Sequence, residues 1–301
     1  MEKILTVDNI SKSYGDKQVL NDISITLNRG ELVSVLGVSG VGKTTLFNVL
    51  SGLTAPDSGN VRLYSHKDDE YTSEIAGTEA AGVEAVESEV AGMEIIDKIG
   101  KMAGVSHDRG TDIMGDSYDG GIDITGENGY LSYMLQKDLL LPHKTVIENA
   151  ALPLLLKHMP KKKALEIAGK EFEHFGLDGT QKQYPAELSG GMRQRVALLR
   201  TYLCNKEVAL LDEPFSALDT ITRASMQQWY LDMMRDIKLS TLFITHDMDE
   251  AILLSDRIYI LKGSPASIVA EIIVDEPKPR TSEFTLTEKF LDYKKKIREL
   301  L

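Results

Sequence analysis

Gly37-Val38-Ser39-Gly40-Val41-Gly42-Lys43-Thr44-Thr45 constrains this chain more than any other stretch. It satisfies G-x-x-x-x-G-K-[ST]. An apolar β-type run, Glu31-Leu32-Val33-Ser34-Val35-Leu36, precedes it, and Thr45-Leu46-Phe47-Asn48-Val49-Leu50, which reads as a helix, follows. Glycines let the backbone curl so that several N–H groups point inward at one anion. The helix N-terminus adds positive dipole, Lys43 a mobile charge for β- and γ-phosphates, and Thr44 a hydroxyl for Mg²⁺. Gly37, Ser39, Gly40, Gly42, Lys43, Thr44 and Thr45 are therefore the expected phosphate contacts, and strand–loop–helix order predicts an α/β fold built around a nucleoside triphosphate.

A second cluster narrows the class. Leu188-Ser189-Gly190-Gly191-Met192-Arg193-Gln194-Arg195 comes shortly before Val208-Ala209-Leu210-Leu211-Asp212-Glu213-Pro214; Ser216-Ala217-Leu218-Asp219 and then Leu242-Phe243-Ile244-Thr245-His246-Asp247 follow. In that order and spacing these stretches resemble the ATP-binding-cassette (ABC) ATPases: signature motif, Walker B with its adjacent glutamate, D-loop and switch histidine. The resemblance covers nearly the whole chain except one internal segment. It implies an α/β P-loop ABC ATPase with a RecA-like core, an antiparallel β-subdomain and an α-helical signature subdomain, with ATP and Mg²⁺ as ligands.

A chain of 301 residues can bury a sizeable core. No run approaches the roughly 18 to 20 apolar residues that span a bilayer, and the N-terminal Met1–Val7 stretch lacks the apolar core of a signal peptide. The single cysteine, Cys204, excludes an internal disulfide and suits a reducing cytoplasm. The net charge of −12 is local: of 46 acidic and 34 basic residues, 66–128 holds 16 and 4, leaving 30 of each elsewhere. A neutral body without a basic face argues against nucleic acid as partner. The runs Lys161–Lys163 and Lys294–Lys296 read as solvated helix faces.

Residues 3–9, 22–27 and 58–63 read as a small antiparallel sheet. Runs at 32–37, 208–212, 241–245 and 257–261 read as parallel strands covered on both faces. Helices are expected over 145–157, 161–174, 190–204, 220–237 and 247–254. The 66–128 segment holds ten of the 24 glycines and no proline. Val83, Val86, Val90, Met93, Ile96 and Ile99 recur there at helical spacing, and the Asp108–Asp123 stretch reads as flexible acidic loop. Because the ABC family joins strand and Q-loop by a much shorter connection, the expected organisation is an ATPase domain over 1–65 and 129–263, an acidic insertion over 66–128 and a C-terminal extension over 264–301.

The resemblance assigns roles by position. Tyr14 sits where the family stacks an aromatic on adenine. Asp212 would hold Mg²⁺ or its water shell, and Glu213 would polarise the attacking water. His246 would contact the γ-phosphate, and Gln136, as the Q-loop glutamine, would touch Mg²⁺ and water; Thr44, Gln136 and Asp212 are the implied metal ligands. Ser189, Gly190 and Gly191 would form a second anion cradle for ATP held by a partner copy, with Asp219 near that interface. Two chains would then sandwich two ATP molecules head to tail as a homodimer.

Single-cassette chains without membrane spans usually power a separate integral-membrane permease, at the cytoplasmic face of the membrane. The Leu139–Asn149 stretch lies where the family docks a permease helix. Leu188–Arg200, Leu211–Asp219 and Thr245–Ala251 resemble the ATPases of nitrate/sulfonate/taurine-type importers, a group that includes pyrimidine-precursor uptake and works with an extracytoplasmic solute-binding protein. The tail after Gly263, under 40 residues, is too short for the regulatory β-domain of sugar-importer ATPases. Two rivals stand beside this reading: an exporter or lipoprotein-release ATPase, and a soluble ABC ATPase acting on DNA or ribosomes.

Overall fold

The structure is a computed structural model that describes residues 2–64, 96–97, 99–101 and 121–301, apart from 238, 279 and 282. Its strands are β1 (Lys3–Tyr14), β2 (Lys17–Asn28), β3 (Leu32–Leu36), β4 (Ser58–Leu63), β5 (Ile122–Asp123), β6 (Ser132–Met134), β7 (Val208–Asp212), β8 (Ser240–Thr245), β9 (Arg257–Gly263) and β10 (Ala266–Ile273). They form one sheet in the order β5-β4-β1-β2-β10-β9-β3-β8-β7-β6. From β9 through β3, β8 and β7 to β6 the pairing is parallel. The β1, β2, β4 and β5 end is antiparallel. The expected split into two kinds of sheet is present, but the halves are continuous, because Ala266 of β10 pairs with Leu20 of β2.

The parallel strands β3, β7 and β8 are buried along their whole length, in keeping with their unbroken apolar sequence. One core lies between the antiparallel half and helix α1 (Lys43–Leu50), around Phe47, Ile25, Val35 and Leu63. Phe47 meets Tyr133 of β6 edge-on at 5.9 Å, which anchors the helix after the glycine loop on the strand beside β7. A second core gathers the helical portion around Phe172, Phe175, Val196 and Tyr230.

The five helices expected over 145–254 are found as six, with local corrections. The single helix expected over 145–157 is two, α2 (Val146–Ala150) and α3 (Leu152–Leu156), because Pro153 opens the second and its ring cannot continue the first. Helix α4 (Lys161–Lys170) ends before the expected residue 174, where turns bury Phe172 and Phe175 and Gly176 adopts φ +61°. Helix α5 (Gly190–Tyr202) is capped by Ser189, whose hydroxyl accepts from Met192 N at 3.3 Å. Helices α6 (Thr220–Ile237) and α7 (Met248–Leu254) lie where expected.

Four elements were not foreseen. Ile122–Asp123, expected at the end of a flexible acidic loop, form β5 and pair with Arg62 and Leu63 of β4. β6 is three residues long, β10 pairs with β9 by a tight turn, and helix α8 (Glu288–Leu300) buries Phe290 and Ile297 against Ala251, Ile252 and Ile272. The tail beyond residue 263 thus contributes a sheet strand and a packed helix. Arg280, 2% exposed, holds it in place by donating to the carbonyls of Ile252, Ser255, Val274 and Glu276. Of the expected amphipathic helix, Ile96 and Ile99 pack beside Leu141 and Leu152. Val83 to Met93 and residues 108–120 lie outside the described residues. No helix among the described residues is long and apolar enough to cross a membrane.

Candidate active site

The glycine loop joins β3 to α1 at the C-terminal edge of the parallel strands, where open α/β sheets bind ligands. Gly37 N donates to Thr245 O at 3.3 Å, fixing the loop to the end of β8. A Cβ on Gly37 would come within 2.6 Å of Leu261 O, so the loop's approach to the sheet requires glycine there. Gly42 has φ +115° and ends the loop as α1 begins. Lys43 is 5% exposed; its ammonium donates to Gly37 O at 2.8 Å and Val38 O at 3.1 Å and lies 3.6 Å from Glu213 Oε1. Burial lowers its pKa, and Glu213 and Asp212 partly restore it.

β7 delivers two acids with different settings. Asp212, at its end, is buried, and the Tyr133 hydroxyl donates to its Oδ2 at 3.2 Å. Burial pushes its pKa up to about 6, opposed by hydrogen bonds from Tyr133 and Thr44. Glu213, the next residue, turns the chain with φ +47°, an uncommon conformation for a non-glycine residue. Its N–H donates to Ile244 O at 3.0 Å, and its carbonyl accepts from Ser216 Oγ at 3.0 Å. The turn swings the Glu213 side chain out of the strand to meet Gln136 and His246. Gln136 Nε2 donates to Oε2 at 3.2 Å, and His246 Nδ1 lies 3.1 Å from Oε1.

Gln136, Glu213 and His246 line a cleft of about 430 Å³ together with Ser39, Gly40, Gly42, Lys43, Thr44 and Thr45, while Gly37 and Asp212 lie behind its wall. Lys17, Gln18 and Val19 of β2 and Gly263 and Ser264 of the β9–β10 turn complete its wall, and sequence reasoning missed all five. The signal was present in part: Tyr14-Gly15-Asp16-Lys17 is a turn whose second arm must return beside the loop. A Cβ on Gly42 would lie 3.1 Å from both Val19 and Leu20. Tyr14 itself ends β1, half exposed with Lys12 over its ring at 5.7 Å, and does not line the cleft; its strand partner is Lys17, which does.

The signature residues lie away from this cleft. Ser189 is exposed; a Cβ added at Gly190 would lie 3.5 Å from the Leu218 side chain, and one added at Gly191 would lie 3.0 Å from Thr222 of α6. Asp219, exposed, caps α6 by accepting from Ile221 N and Thr222 N, both at 3.1 Å. Those hydrogen bonds, that to Thr222 first, hold its carboxyl below the ordinary range.

The donor set fits a hard divalent cation held partly by nucleotide. Thr44 and Asp212 are hydrogen-bonded neighbours, both oxygen donors, and Gln136 stands across the cleft. No group of three or more His, Cys, Asp or Glu gathers as a metal cage among the described residues. Mg²⁺ uses few protein ligands and completes its shell with water and phosphate.

A model of the ABC transporter family matches residues 20–216. The chain belongs to the ABC transporter family. It is 33% identical over 304 residues, spanning 100% of this chain and 97% of the relative, to the formylaminopyrimidine import ATP-binding protein ThiZ of Halalkalibacterium halodurans. It is 34% identical over 298 residues, 97% of this chain and 94% of the relative, to the aliphatic sulfonates import ATP-binding protein SsuB of Bacillus cereus. The taurine import ATP-binding protein TauB of Escherichia coli O157:H7 is 31% identical over 269 residues, 89% of this chain and 84% of the relative. The fold matches a bacterial ABC transporter cassette solved as a dimer, with TM-score 0.61 and 23% identity over 91% of this chain and 100% of that one. It also matches cbiO1 of Clostridium perfringens, with TM-score 0.65 and 18% identity over 99% of this chain and 100% of that one. As a member of this family the chain is an ABC ATPase.

Proposed function

We propose that this ABC ATPase powers the import of a small solute, of the sulfonate, taurine, nitrate or pyrimidine-precursor kind. It works as a homodimer bound to an integral-membrane permease at the cytoplasmic face of the membrane, with an extracytoplasmic solute-binding protein upstream. The observation that carries the ATPase half is the meeting of Gln136, Lys43 and His246 on the Glu213 carboxylate within one cleft. The import half rests on relatives above 30% identity, over most of both chains, that are import ATP-binding proteins.

In this reading the loop N–H groups and Lys43 hold the β- and γ-phosphates. Glu213 orients the attacking water and takes up its proton, Gln136 fixes the carboxylate and meets the water, and His246 donates toward the γ-phosphate. Thr44, Asp212 and Gln136 would hold Mg²⁺, which would supply neutralisation of phosphate charge when bound. Ser189, Gly190 and Gly191 close on ATP in the partner copy, and Asp219 lies at that interface. Tyr14 stacks on adenine by moving toward the cleft from its place opposite Lys17. The cassette is formed by 1–65 and 129–263, interrupted by the 66–128 insertion and followed by the 264–301 extension.

Affinity capture of the tagged chain from detergent-solubilised membranes of its host tests the import half. Recovery of a multi-span permease, released by Mg-ATP turnover or retained through it, supports the reading. Recovery of ribosomes or nucleic-acid enzymes without a membrane protein sinks it.

A further inference from the structure

Arg223 stands one turn into α6, between the surface that carries the D-loop and signature turn and the strand end that carries His246. Its Nη2 donates to Leu218 O at 3.0 Å, and its own N–H donates to Asp219 O at 2.8 Å. On the other side its Nη1 lies 3.6 Å from Asp247 Oδ2. Asp247 is bound on both sides: its N–H donates to Thr245 Oγ1 at 3.0 Å, and its Oδ1 caps α7 by accepting from Asp249 N at 2.8 Å and Glu250 N at 3.2 Å. His246, the residue between Thr245 and Asp247 in the chain, meets Glu213 at 3.1 Å. The neighbours of Arg223 reach the signature turn as well, since Leu218 abuts Gly190 and Thr222 abuts Gly191.

Two features separate this arrangement from an ordinary surface ion pair. Arg223 Nε is buried and makes no hydrogen bond, and Glu250 Oε1, nearby on α7, is likewise buried and unpartnered. A buried donor and a buried acceptor left without partners are costly, so the seam between α6 and α7 is not at its lowest-energy polar pairing. The guanidinium also spans two separately mounted pieces of chain with one rigid planar group, so motion at one end is imposed on the other.

We propose that Arg223 is a positioning residue for ATP hydrolysis, transmitting the setting of the Ser216–Asp219 turn through Asp247 to the His246–Glu213 pair. The turn, exposed at the face that would meet a second copy, moves when that face is engaged. Arg223 carries the movement to Asp247, and the pose of His246 against Glu213 follows. Hydrolysis is thereby tied to closure of the Ser189–Gly191 face, and nucleotide binding in the chain's own cleft is left alone. The inference rests on the proposed roles of Glu213 and His246.

The test compares Arg223→Ala, Arg223→Lys, Asp247→Asn and the Arg223→Ala/Asp247→Asn double variant by steady-state ATP hydrolysis. Binding of a fluorescent ATP analogue and thermal melting are followed alongside. Asn caps helices as well as Asp does, so Asp247→Asn removes the charge and keeps α7 capped. Arg223→Ala and Asp247→Asn are each expected to lower kcat about tenfold while KM and analogue affinity stay within about twofold, and the double is expected to be no slower than either, because the two act through one link. Arg223→Lys is expected to recover part of the loss, its ammonium reaching Asp247 without the second branch to Leu218 O. An unchanged kcat in Asp247→Asn, additive losses in the double, or a fall in analogue affinity matching the fall in kcat would each overturn the proposal. If Arg223→Ala does not fold, Asp247→Asn and Arg223→Lys decide it. Glu213→Gln, run in parallel, separates the two levels: if it hydrolyses ATP at the parental rate, the site assignment fails; if it is silent while Asp247→Asn is unimpaired, only the Arg223 link fails.

Discussion

Gln136 Nε2 donates to Glu213 Oε2 at 3.2 Å, joining the segment after the short strand β6 to the acid at the end of β7. His246 Nδ1 approaches the other oxygen at 3.1 Å. A carboxylate held through both oxygens cannot rotate freely, and its aim is set by two elements that are far apart in sequence. The left-handed turn at Glu213, φ +47°, is what brings its side chain there. Backbone conformations of this kind cost on the order of 1–3 kcal/mol and persist where the surroundings over-determine them. Here Ile244 O, Ser216 and the two carboxylate partners do so.

Gly42→Ala should abolish nucleotide binding while leaving the fold intact. Gly42 combines φ +115° with a built Cβ 3.1 Å from Val19 and Leu20, so alanine must push the loop off β2. Equilibrium binding of a fluorescent ATP analogue checks this, with far-UV circular dichroism as the control for folding.

Ser189→Asp should block dimer formation and spare ATP binding. Asp can cap α5 as Ser does, but it places a negative charge where the proposed cradle would meet phosphates. In a Glu213→Gln background, sedimentation velocity with Mg-ATP is expected to show dimers, and adding Ser189→Asp is expected to return monomers at unchanged analogue affinity.

Much of this site was legible because each motif fuses a conformation to a chemistry. The glycine loop between an apolar strand and a helix could hardly be anything else, and Asp212, Glu213 and His246 each follow an apolar run that had to be a buried parallel strand. What escaped was whatever depends on pairing distant segments. β6 has three residues, too few for a pattern, so Tyr133's bond to Asp212 was invisible. β10 and the Gly263–Ser264 edge of the cleft depend on a turn whose flanks alternate weakly. Lys17, Gln18 and Val19 reach the cleft only through the register of the β1–β2 hairpin, which no local pattern carries. Helix 145–157 broke at Pro153, a signal that the sequence carried openly.

Arg280→Ala should destabilise the protein by about 3 kcal/mol or more, since it leaves several buried carbonyls unsatisfied. Arg280 is 2% exposed and donates to Ile252 O at 2.8 Å and Val274 O at 2.9 Å, joining the C-terminal end of α7 to the strand that leads to α8. Urea unfolding checks this. The loss should appear as a lower midpoint with limited proteolysis beginning in the tail after residue 274.

Glu250→Gln should flatten the pH dependence of stability. Burial first, and then the nearby Asp247 and Glu213, push the Glu250 carboxyl from 4.5 up to about 8, against the Thr245 hydroxyl and Arg223, which pull it down. Between those two values the folded protein holds a proton that the unfolded chain has lost. Stability from this group is therefore full below about pH 4.5, declines as pH rises, and is gone above about 8. Melting temperatures at pH 5.5 and 8.5 are expected to fall in the parent by more than in Glu250→Gln, with the variant the more stable of the two at pH 8.5.

The central claim, that Glu213 activates water in a nucleotide cleft built by the Gly37–Thr45 loop, is tested most directly by single-turnover hydrolysis of radiolabelled ATP by Glu213→Gln, with ATP affinity measured on the same preparation. The account predicts hydrolysis slowed by about 10²- to 10⁴-fold at an ATP affinity within a few-fold of the parent. Hydrolysis at the parental rate, or loss of ATP binding in step with loss of hydrolysis, would contradict it.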